Sequence, residues 1–273
     1  MGRPRPTISF ARSWDLGSAR PPERRAGGVI FVAQLVLRPL IRLLAGRQWI
    51  GTHHFPERGA AVACGNHSGP FDALAYGHLL QAGGIAPRFL AKDSLFRIPL
   101  LGTILRATGQ IPVHRGTTRS TDALSTARAA LERGELLMVF PEGTYTRDPE
   151  LWPMRARLGA ARLALSTGAP LIPLACWGSQ QLWPVGGMLP RLLPRRRLII
   201  RVGEPIPAQR RPEETEHQAA VRLTEELMSA ITALLATTRA QPPPPTVHDP
   251  RNDDHRPEDG RPQRRRQLRR GRR

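Results

Sequence analysis

The chain has 273 residues, of which 40% are hydrophobic, so it is long enough to fold around a core of its own. Its formal net charge is +19, from 41 basic and 22 acidic residues, which fits anionic lipid head groups, acidic carrier proteins or nucleic acid as partners. Two cysteines, Cys64 and Cys176, lie in apolar runs, which excludes a disulfide framework or a cysteine-rich metal cluster and fits the reducing cytosol.

The two ends of the chain are rich in arginine and proline. Residues 1–28 hold six arginines against two acidic residues, and residues 241–273 hold ten against five. Neither end shows an apolar periodicity that would bury surface, so we predict that residues 1–28 and residues 238–273 are disordered. The basic tail fits either an electrostatic contact with an anionic membrane or a solvated segment without a specific partner.

Residues 29–46 form a strongly apolar stretch in which Gln34, Arg38 and Arg42 recur every four residues. On a helix these three side chains form one polar stripe along an apolar cylinder. A bilayer-spanning helix needs about 20 apolar residues, and this stretch is too short and too charged. We therefore predict an amphipathic helix lying in the membrane interface. The alternative is a helix packed on the protein's own core.

The middle of the chain alternates between short apolar runs and helical patterns. The predicted strands are residues 61–65, 87–91, 110–113, 136–140, 171–177 and 198–202. The predicted helices include residues 122–133, 154–166 and 213–235. Strands that alternate with helices predict an α/β fold, here a single domain over residues 47–237 with a mostly parallel sheet covered by helices.

The segment NHSGPFD, residues 66–72, follows the first of these strands and places His67 five residues before Asp72. An imidazole whose second nitrogen is bonded to a carboxylate can remove a proton from an alcohol, because the carboxylate fixes the tautomer and stabilises the imidazolium. The spacing alone does not distinguish such a pair from an aspartate that caps a helix.

A second motif, FPEGT at residues 140–144, ends the strand predicted at residues 136–140. Active sites of open α/β sheets lie where parallel strands end in loops. The two motifs are therefore expected at the same edge of the sheet.

With both motifs in place, the chain resembles the lysophosphatidic acid acyltransferase family of the phospholipid/glycerol acyltransferases, over about residues 29–237. The family pattern is NHxxxxD, GxIxxxR, FPEGT and a proline-flanked apolar strand. This chain has the four blocks in that order, at residues 66–72, 109–115, 140–144 and 169–173.

The resemblance implies a glycerol-3-phosphate acyltransferase-like fold and an O-acyltransferase that needs no cofactor and no metal. The enzyme would move a fatty acyl group from acyl-CoA or acyl carrier protein to the free hydroxyl of lysophosphatidic acid, without an acyl-enzyme. His67 would be the general base and Asp72 its orienting partner. Asn66 would brace the turn, contact substrate or cap the following helix. Ser68, beside the base, leaves a covalent seryl route as an alternative.

Five further residues are implied or suggested as substrate contacts. Arg115 would bind the acceptor's phosphate, since a guanidinium suits bidentate phosphate contacts. Glu142 would accept a bond from a substrate hydroxyl, cap backbone N–H groups or pair with Arg115. Gly143 would let the backbone approach a ligand, and Thr144 would offer its hydroxyl to phosphate. Arg157 stands where the family often has a basic residue before glycine.

The sequence departs from the family pattern directly after FPEGT. The family usually has arginine there, whereas this chain has Tyr145, with Arg147 two residues later. This difference leaves open an acceptor with a larger or less charged head group.

The expected partners are a lysophospholipid, acyl-CoA or acyl carrier protein, and an anionic membrane surface. We expect the protein at the cytoplasmic face of the cell membrane, peripheral or monotopic. Nucleic acid is not expected, because no known binding module is present. Two alternatives of other classes are a non-catalytic membrane-binding protein of the same fold and a nucleic-acid binder that uses its arginine-rich tail.

Overall fold

A computed structural model describes residues 9–10, 41, 43, 45–113, 120–187, 189–191 and 195–252. Its strands are β1 (Ser9–Phe10), β2 (Ala45–Ile50), β3 (Pro56–Arg58), β4 (Ala61–Gly65), β5 (Arg88–Lys92), β6 (Ile111–Val113), β7 (Leu136–Val139), β8 (Leu171–Trp177) and β9 (Arg196–Val202). Its α-helices are α1 (Phe71–Ala82), α2 (Leu101–Ala107), α3 (Ser120–Glu132), α4 (Gly159–Thr167), α5 (Ser179–Leu182) and α6 (Glu216–Arg239). Short 3-10 turns cover Thr52–His54, Asp93–Arg97 and Pro250–Asn252.

Seven strands form one sheet in the order β2-β9-β8-β4-β7-β5-β6. The five strands β8, β4, β7, β5 and β6 run parallel to one another, whereas β9 pairs antiparallel with β8 and parallel with β2. The carboxyl ends of these five strands therefore share one edge of the sheet. Strands β1 and β3 form a separate antiparallel pair.

Helices cover both faces of the sheet. Helix α1 packs on one face through Phe71, Ala75, Tyr76, Leu79 and Leu80, and the other face packs against α3, α4 and α6. Every residue of β4 and of β7 is buried, as expected for central parallel strands with both faces covered. Helix α6 begins with a capping box formed by Thr215 and Gln218.

The predicted fold class is confirmed, because the structure has a single α/β domain with a mostly parallel sheet. All six predicted strands are present, with bounds that differ by no more than two residues at either end. Strand β2 is an addition to the prediction. It begins at Ala45, so Ala45 and Gly46 belong to the sheet and not to the helix predicted over residues 29–46.

Most of that predicted helix, residues 29–40, lies outside the described residues, so the interfacial helix stays a prediction. Near its end, Ile41 is buried in the core beside α1, whereas Leu43 is 74% exposed. None of the described helices combines the length and the apolar character that crossing a bilayer requires.

The boundary predicted for the tail moves toward the C-terminus. Helix α6 continues to Arg239, and the segment beyond it contacts the domain, because the backbone N–H of Arg155 donates to the carbonyl of His248 at 2.9 Å. The Arg155 guanidinium also lies 3.1 Å from the Asp249 carboxylate. The composition of this segment suggested disorder because it has few apolar residues, but polar contacts hold it.

Candidate active site

The predicted pair meets on the turn that joins β4 to α1. Nδ1 of His67 lies 3.1 Å from Oδ2 of Asp72. The turn closes on the same carboxylate, because Oδ2 also accepts hydrogen bonds from the backbone N–H groups of Ser68 and Gly69. Asp72 is fully buried, and the His67 side chain is 14% exposed. One carboxylate thus shapes the turn and orients the imidazole.

The hydrogen bonds of Asp72 determine the tautomer of His67. A carboxylate oxygen that already accepts two N–H bonds acts as an acceptor toward the ring, so Nδ1 carries the hydrogen and donates it. Nε2 is then the nitrogen that can accept a proton from a bound molecule. This is the arrangement expected of a general base with its orienting carboxylate.

The hydroxyl of Ser68 is engaged by protein groups and is not placed as a nucleophile. Its hydroxyl lies 3.3 Å from Oδ1 of Asp72, to which it can donate, and 3.3 Å from the hydroxyl of Ser179. Both serines are buried. Their hydrogen bonds join the turn to α5.

Asn66 acts as a bridge inside the protein. Its side-chain oxygen accepts from the backbone N–H of Cys176 at 2.8 Å and from the Tyr76 hydroxyl at 2.9 Å. Its side-chain nitrogen donates to the Cys176 carbonyl at 3.1 Å. Because both polar atoms have partners and the side chain is buried, Asn66 ties the end of β4 to β8. Of its predicted roles, the geometry corresponds to bracing the turn.

Glu142 holds the two motifs together. One carboxylate oxygen accepts from the backbone N–H of His67 at 3.0 Å, and the other accepts from the backbone N–H of Met154 at 3.0 Å. The backbone N–H of Thr146 donates in turn to the His67 carbonyl at 2.7 Å. Among the alternatives for Glu142, the structure places it as a cap for backbone N–H groups.

The environment of Glu142 is unusual for a carboxylate. The side chain is buried, and this burial raises its pKa to about 8, although the N–H bonds from Met154 and His67 act in the opposite direction. Asp72 nearby also favours the neutral form. The protonation state of Glu142 therefore changes close to neutral pH.

Two aromatic rings enclose the imidazole, and neither contact with His67 was predicted from the sequence. The Phe140 ring stacks on His67 with 3.7 Å between centroids and 13° between planes. The Tyr145 ring lies 4.3 Å from His67 at an angle of 58°. Burial raises the pKa of the Tyr145 hydroxyl. The residue at the position where the family usually has arginine therefore contacts His67, and its departure from the motif was the available signal.

Gly143 and Arg157 lie next to each other. Gly143 has φ of +75°, and a Cβ atom at this position would sit 3.0 Å from Nε of Arg157. The backbone N–H of Arg157 donates to the carbonyl of Pro141 at 2.9 Å. Thr144 is half-buried on the same turn. The structure thus brings Gly143, Thr144 and Arg157 to one side of the site. Arg115 lies outside the described residues, so its contact with the acceptor's phosphate stays a prediction.

The C-terminal helix supports the loop that follows FPEGT. The Arg239 guanidinium lies 4.0 Å from the centroid of the Trp152 ring and 4.3 Å from that of Trp177, and it donates to the carbonyl of Glu150 at 2.9 Å. Such stacking stabilises a cation between aromatic rings.

Within the described part of the chain, no three His, Cys, Asp or Glu side chains are grouped so that they could hold a metal ion.

Part of the chain is similar in sequence to two named acyltransferases. A 1-acyl-sn-glycerol-3-phosphate acyltransferase from the chloroplast of Brassica napus is 31% identical over 40% of this chain and 31% of that protein. A 1-acyl-sn-glycerol-3-phosphate acyltransferase from Borreliella burgdorferi is 28% identical over 53% of this chain and 58% of its own length. The chain therefore spans less than two thirds of either relative.

The fold is similar to that of the 1-acyl-sn-glycerophosphate acyltransferase of Thermotoga maritima, with a TM-score of 0.55, 21% identity, and coverage of 76% of this chain and 87% of that one. This likeness concerns the fold alone. The model of the Acyltransferase family matches residues 47–177, a range that contains His67, Asp72 and Glu142. This match confirms, at the level of an acyltransferase domain over residues 47–177, the resemblance that the four motifs indicated.

Proposed function

We propose that the protein transfers a fatty acyl group from an acyl thioester to the free hydroxyl of lysophosphatidic acid, giving phosphatidic acid. The contact that carries this proposal is the 3.1 Å approach of His67 Nδ1 to the buried Asp72 carboxylate, which leaves Nε2 to act as a base. The relatives from Brassica napus and Borreliella burgdorferi, both named 1-acyl-sn-glycerol-3-phosphate acyltransferases, support the choice of acceptor.

The proposed reaction proceeds in one covalent exchange. Nε2 of His67 takes the proton of the acceptor hydroxyl while its oxygen attacks the thioester carbonyl, and Asp72 stabilises the imidazolium that forms. The tetrahedral intermediate then expels the thiolate of the donor. This thiolate takes the proton that Nε2 of His67 removed from the acceptor. An ester and a free thiol result, and no acyl-enzyme forms. The burial of Ser68 and its bonds to Asp72 and Ser179 support this direct route over a seryl intermediate.

The acyl donor in this proposal is acyl-CoA or acyl carrier protein, as a co-substrate and without a further cofactor. Coenzyme A carries phosphates and acyl carrier proteins are acidic, so the net charge of +19 favours both kinds of donor. The direct test supplies purified protein with lysophosphatidic acid and a mixed pool of donors and identifies products by mass spectrometry. Phosphatidic acid with one acyl chain from the pool is expected, whereas absence of any acylated lipid would favour the non-catalytic membrane-binding alternative.

A second candidate acceptor is a lysolipid with a larger or less charged head group. The contact between Tyr145 and His67 motivates it, because a ring stands 4.3 Å from the base where the family has a cation. A panel of lysolipids assayed with one donor separates the two candidates. A higher kcat/KM for a neutral or larger head group would replace lysophosphatidic acid as the acceptor.

Replacing Arg115 with alanine is expected to raise KM for a phosphate-bearing acceptor much more than KM for the acyl donor. The lost partner would be an anion on the acceptor, and a charge-assisted hydrogen bond is worth about 1.5–3 kcal/mol. Arg157→Ala is the comparison, since Arg157 lies against Gly143 in the site. An effect of Arg115→Ala confined to the donor would assign Arg115 to the donor's phosphates instead.

We further propose that the protein works at the cytoplasmic face of the cell membrane, bound to anionic lipids. Deleting residues 1–40 should release it from anionic liposomes even at high salt, whereas deleting residues 253–273 should weaken only the salt-sensitive part of binding. Apolar burial resists salt, while attraction between exposed charges is screened over about 8 Å at physiological ionic strength. The first deletion stops before Ile41 because that side chain belongs to the core.

Flotation of both truncated proteins at low and high salt measures these two contributions. If the protein lacking residues 1–40 still floated at high salt, the interfacial helix would not be the principal anchor.

A further inference from the structure

The segment between β5 and β6 exposes a group of apolar side chains. It consists of the 3-10 turn Asp93–Arg97 and helix α2, with residues 98–100 between them. Leu100 is 74% exposed and Ile98 is 46% exposed, and Leu95 and Leu101 are each 37% exposed. We call these four residues the apolar tip. A soluble surface rarely groups so many large apolar side chains without a partner.

The apolar tip is held in place from within. The Phe96 side chain is buried. The backbone carbonyl of Phe96 accepts a hydrogen bond from the Arg106 guanidinium at 2.7 Å. Helix α2 lies so close to this carbonyl that a Cβ atom on Gly102 would overlap its oxygen. The internal contacts thus present the four apolar side chains outward from an anchored segment.

Leu100 also adopts a backbone conformation that leucine disfavours. Its φ is +62° and its ψ is −55°, a positive-φ conformation that side-chain-bearing residues rarely adopt because the Cβ atom crowds the backbone. Strained backbone and exposed apolar surface both cost free energy, and the two costs coincide at one residue. A partner that buries the Leu100 side chain would offset them.

The apolar tip lies at the edge of the sheet that carries the site. It follows the carboxyl end of β5, and β5 pairs with β7, which leads into FPEGT. The Phe89 ring on β5 lies 6.5 Å from the Phe140 ring, which stacks on His67. A surface that contacts the apolar tip would therefore lie on the same side of the protein as the base.

The charges around the apolar tip are mostly positive. Within residues 92–107, the basic side chains of Lys92, Arg97 and Arg106 are exposed, against one acidic residue, Asp93, which pairs with Arg97 at 2.9 Å on the surface. Basic side chains that border an apolar patch complement anionic head groups above a hydrocarbon layer. This combination fits a lipid bilayer better than a second copy of so basic a protein, because two copies would repel each other.

We propose that the apolar tip inserts into the acyl-chain region of an anionic membrane, as a contact separate from the helix predicted over residues 29–46. Leu100 and Ile98 enter the hydrocarbon boundary while Lys92, Arg97 and Arg106 lie among the head groups. On the proposed function, this contact places the site edge against the layer that holds the lysolipid acceptor, so that the acceptor's hydroxyl reaches His67 without leaving the membrane.

Fluorescence at single positions tests the proposal in the full-length chain. The native cysteines, Cys64 and Cys176, are buried, so a cysteine introduced at Leu100 can carry an environment-sensitive dye selectively. Leu100→Cys is measured with vesicles of neutral and anionic phospholipids, with and without quenchers attached to the acyl chains. Ile98→Cys is the second position in case the first does not fold. Leu124→Cys is the control, because Leu124 is 39% exposed on α3.

Vesicles are expected to shift the dye at residue 100 to the blue, and the acyl-chain quenchers should lower its emission roughly twofold or more, while the dye at residue 124 changes little. Equal responses at residues 100 and 124 would overturn the proposal. A shift that depends on protein concentration without vesicles would identify a contact between copies instead. Quenching does not require acyl transfer, so a protein that inserts but acylates no lysolipid would refute the function and leave the membrane contact standing.

Discussion

His67→Ala should lower the rate of acyl transfer by roughly 100- to 10,000-fold while the protein stays folded and still binds membranes. The loss is expected because Nε2 of the imidazole is the proposed acceptor of the hydroxyl proton. The backbone N–H and carbonyl of residue 67, which bond to Glu142 and Thr146, are unaffected by the substitution. Steady-state kinetics with saturating donor, beside circular dichroism, measures both parts of this expectation.

Asp72→Asn is the matched variant for the same pair. An amide oxygen in place of Oδ2 can still accept from the N–H groups of Ser68 and Gly69, so the turn should keep its shape. The negative charge that stabilises the imidazolium is lost, and kcat should fall by a large factor with little change in KM. Full activity of folded His67→Ala would remove His67 from the role of base, and full activity of folded Asp72→Asn would remove Asp72 from the role of its orienting partner.

The His67–Asp72 pair was predictable from sequence because its geometry is local. Both residues lie within one turn after a buried strand, and the chain there has few ways to fold. The chain positions of motif and strand also predicted that FPEGT would lie at the same edge. The apolar strands β4, β7 and β8 could also be predicted from the sequence, because parallel strands covered on both faces are continuous apolar runs.

The roles of Asn66 and Glu142 were not readable because their partners are far along the chain. Asn66 bonds to Cys176, which is 110 residues away, and Glu142 bonds to His67 across 75 residues. A polar residue beside a catalytic motif has the same sequence signature whether it meets substrate or backbone. Only the fold shows that backbone groups occupy the polar atoms of both side chains.

Strand β2 escaped prediction for a related reason. Its sequence, AGRQWI, is short and only partly apolar, and it follows an apolar stretch with helical spacing. The strand is fixed by parallel pairing with β9, where Ala45 faces Arg196. Edge strands of this kind depend on a partner that is about 150 residues away in the chain, so local pattern carries little information about them.

Removing the Glu142 brace should damage both stability and catalysis. Glu142→Ala leaves the buried backbone N–H groups of His67 and Met154 without their acceptors, at roughly 1–3 kcal/mol for each unpaired donor. The rate should fall as well, because the turn that carries His67 loses its tether to the FPEGT loop. Glu132→Ala is the control, since the Glu132 carboxylate is 57% exposed in a surface pair with Arg128.

Urea unfolding and kcat for the two alanine variants are the measurements. If Glu142→Ala matched Glu132→Ala in both, the hydrogen bonds of Glu142 would not be what holds the motifs together. A loss of stability with unchanged kcat would mean that His67 keeps its position without the brace.

Glu142→Gln separates two properties of Glu142, its hydrogen bonds to the backbone and its ionisation. Burial raises the pKa of Glu142 to about 8 in the folded protein, above its ordinary value of 4.5. The folded state therefore retains a proton that the unfolded chain releases, so the free energy of unfolding should fall as the pH rises from about 4.5 to about 8. Glutamine has no such proton, and the variant should lose less stability over this range than the wild type. Unfolding curves that decline in parallel for both proteins would mean that Glu142 is ionised in the fold, held as a carboxylate by the N–H groups of His67 and Met154.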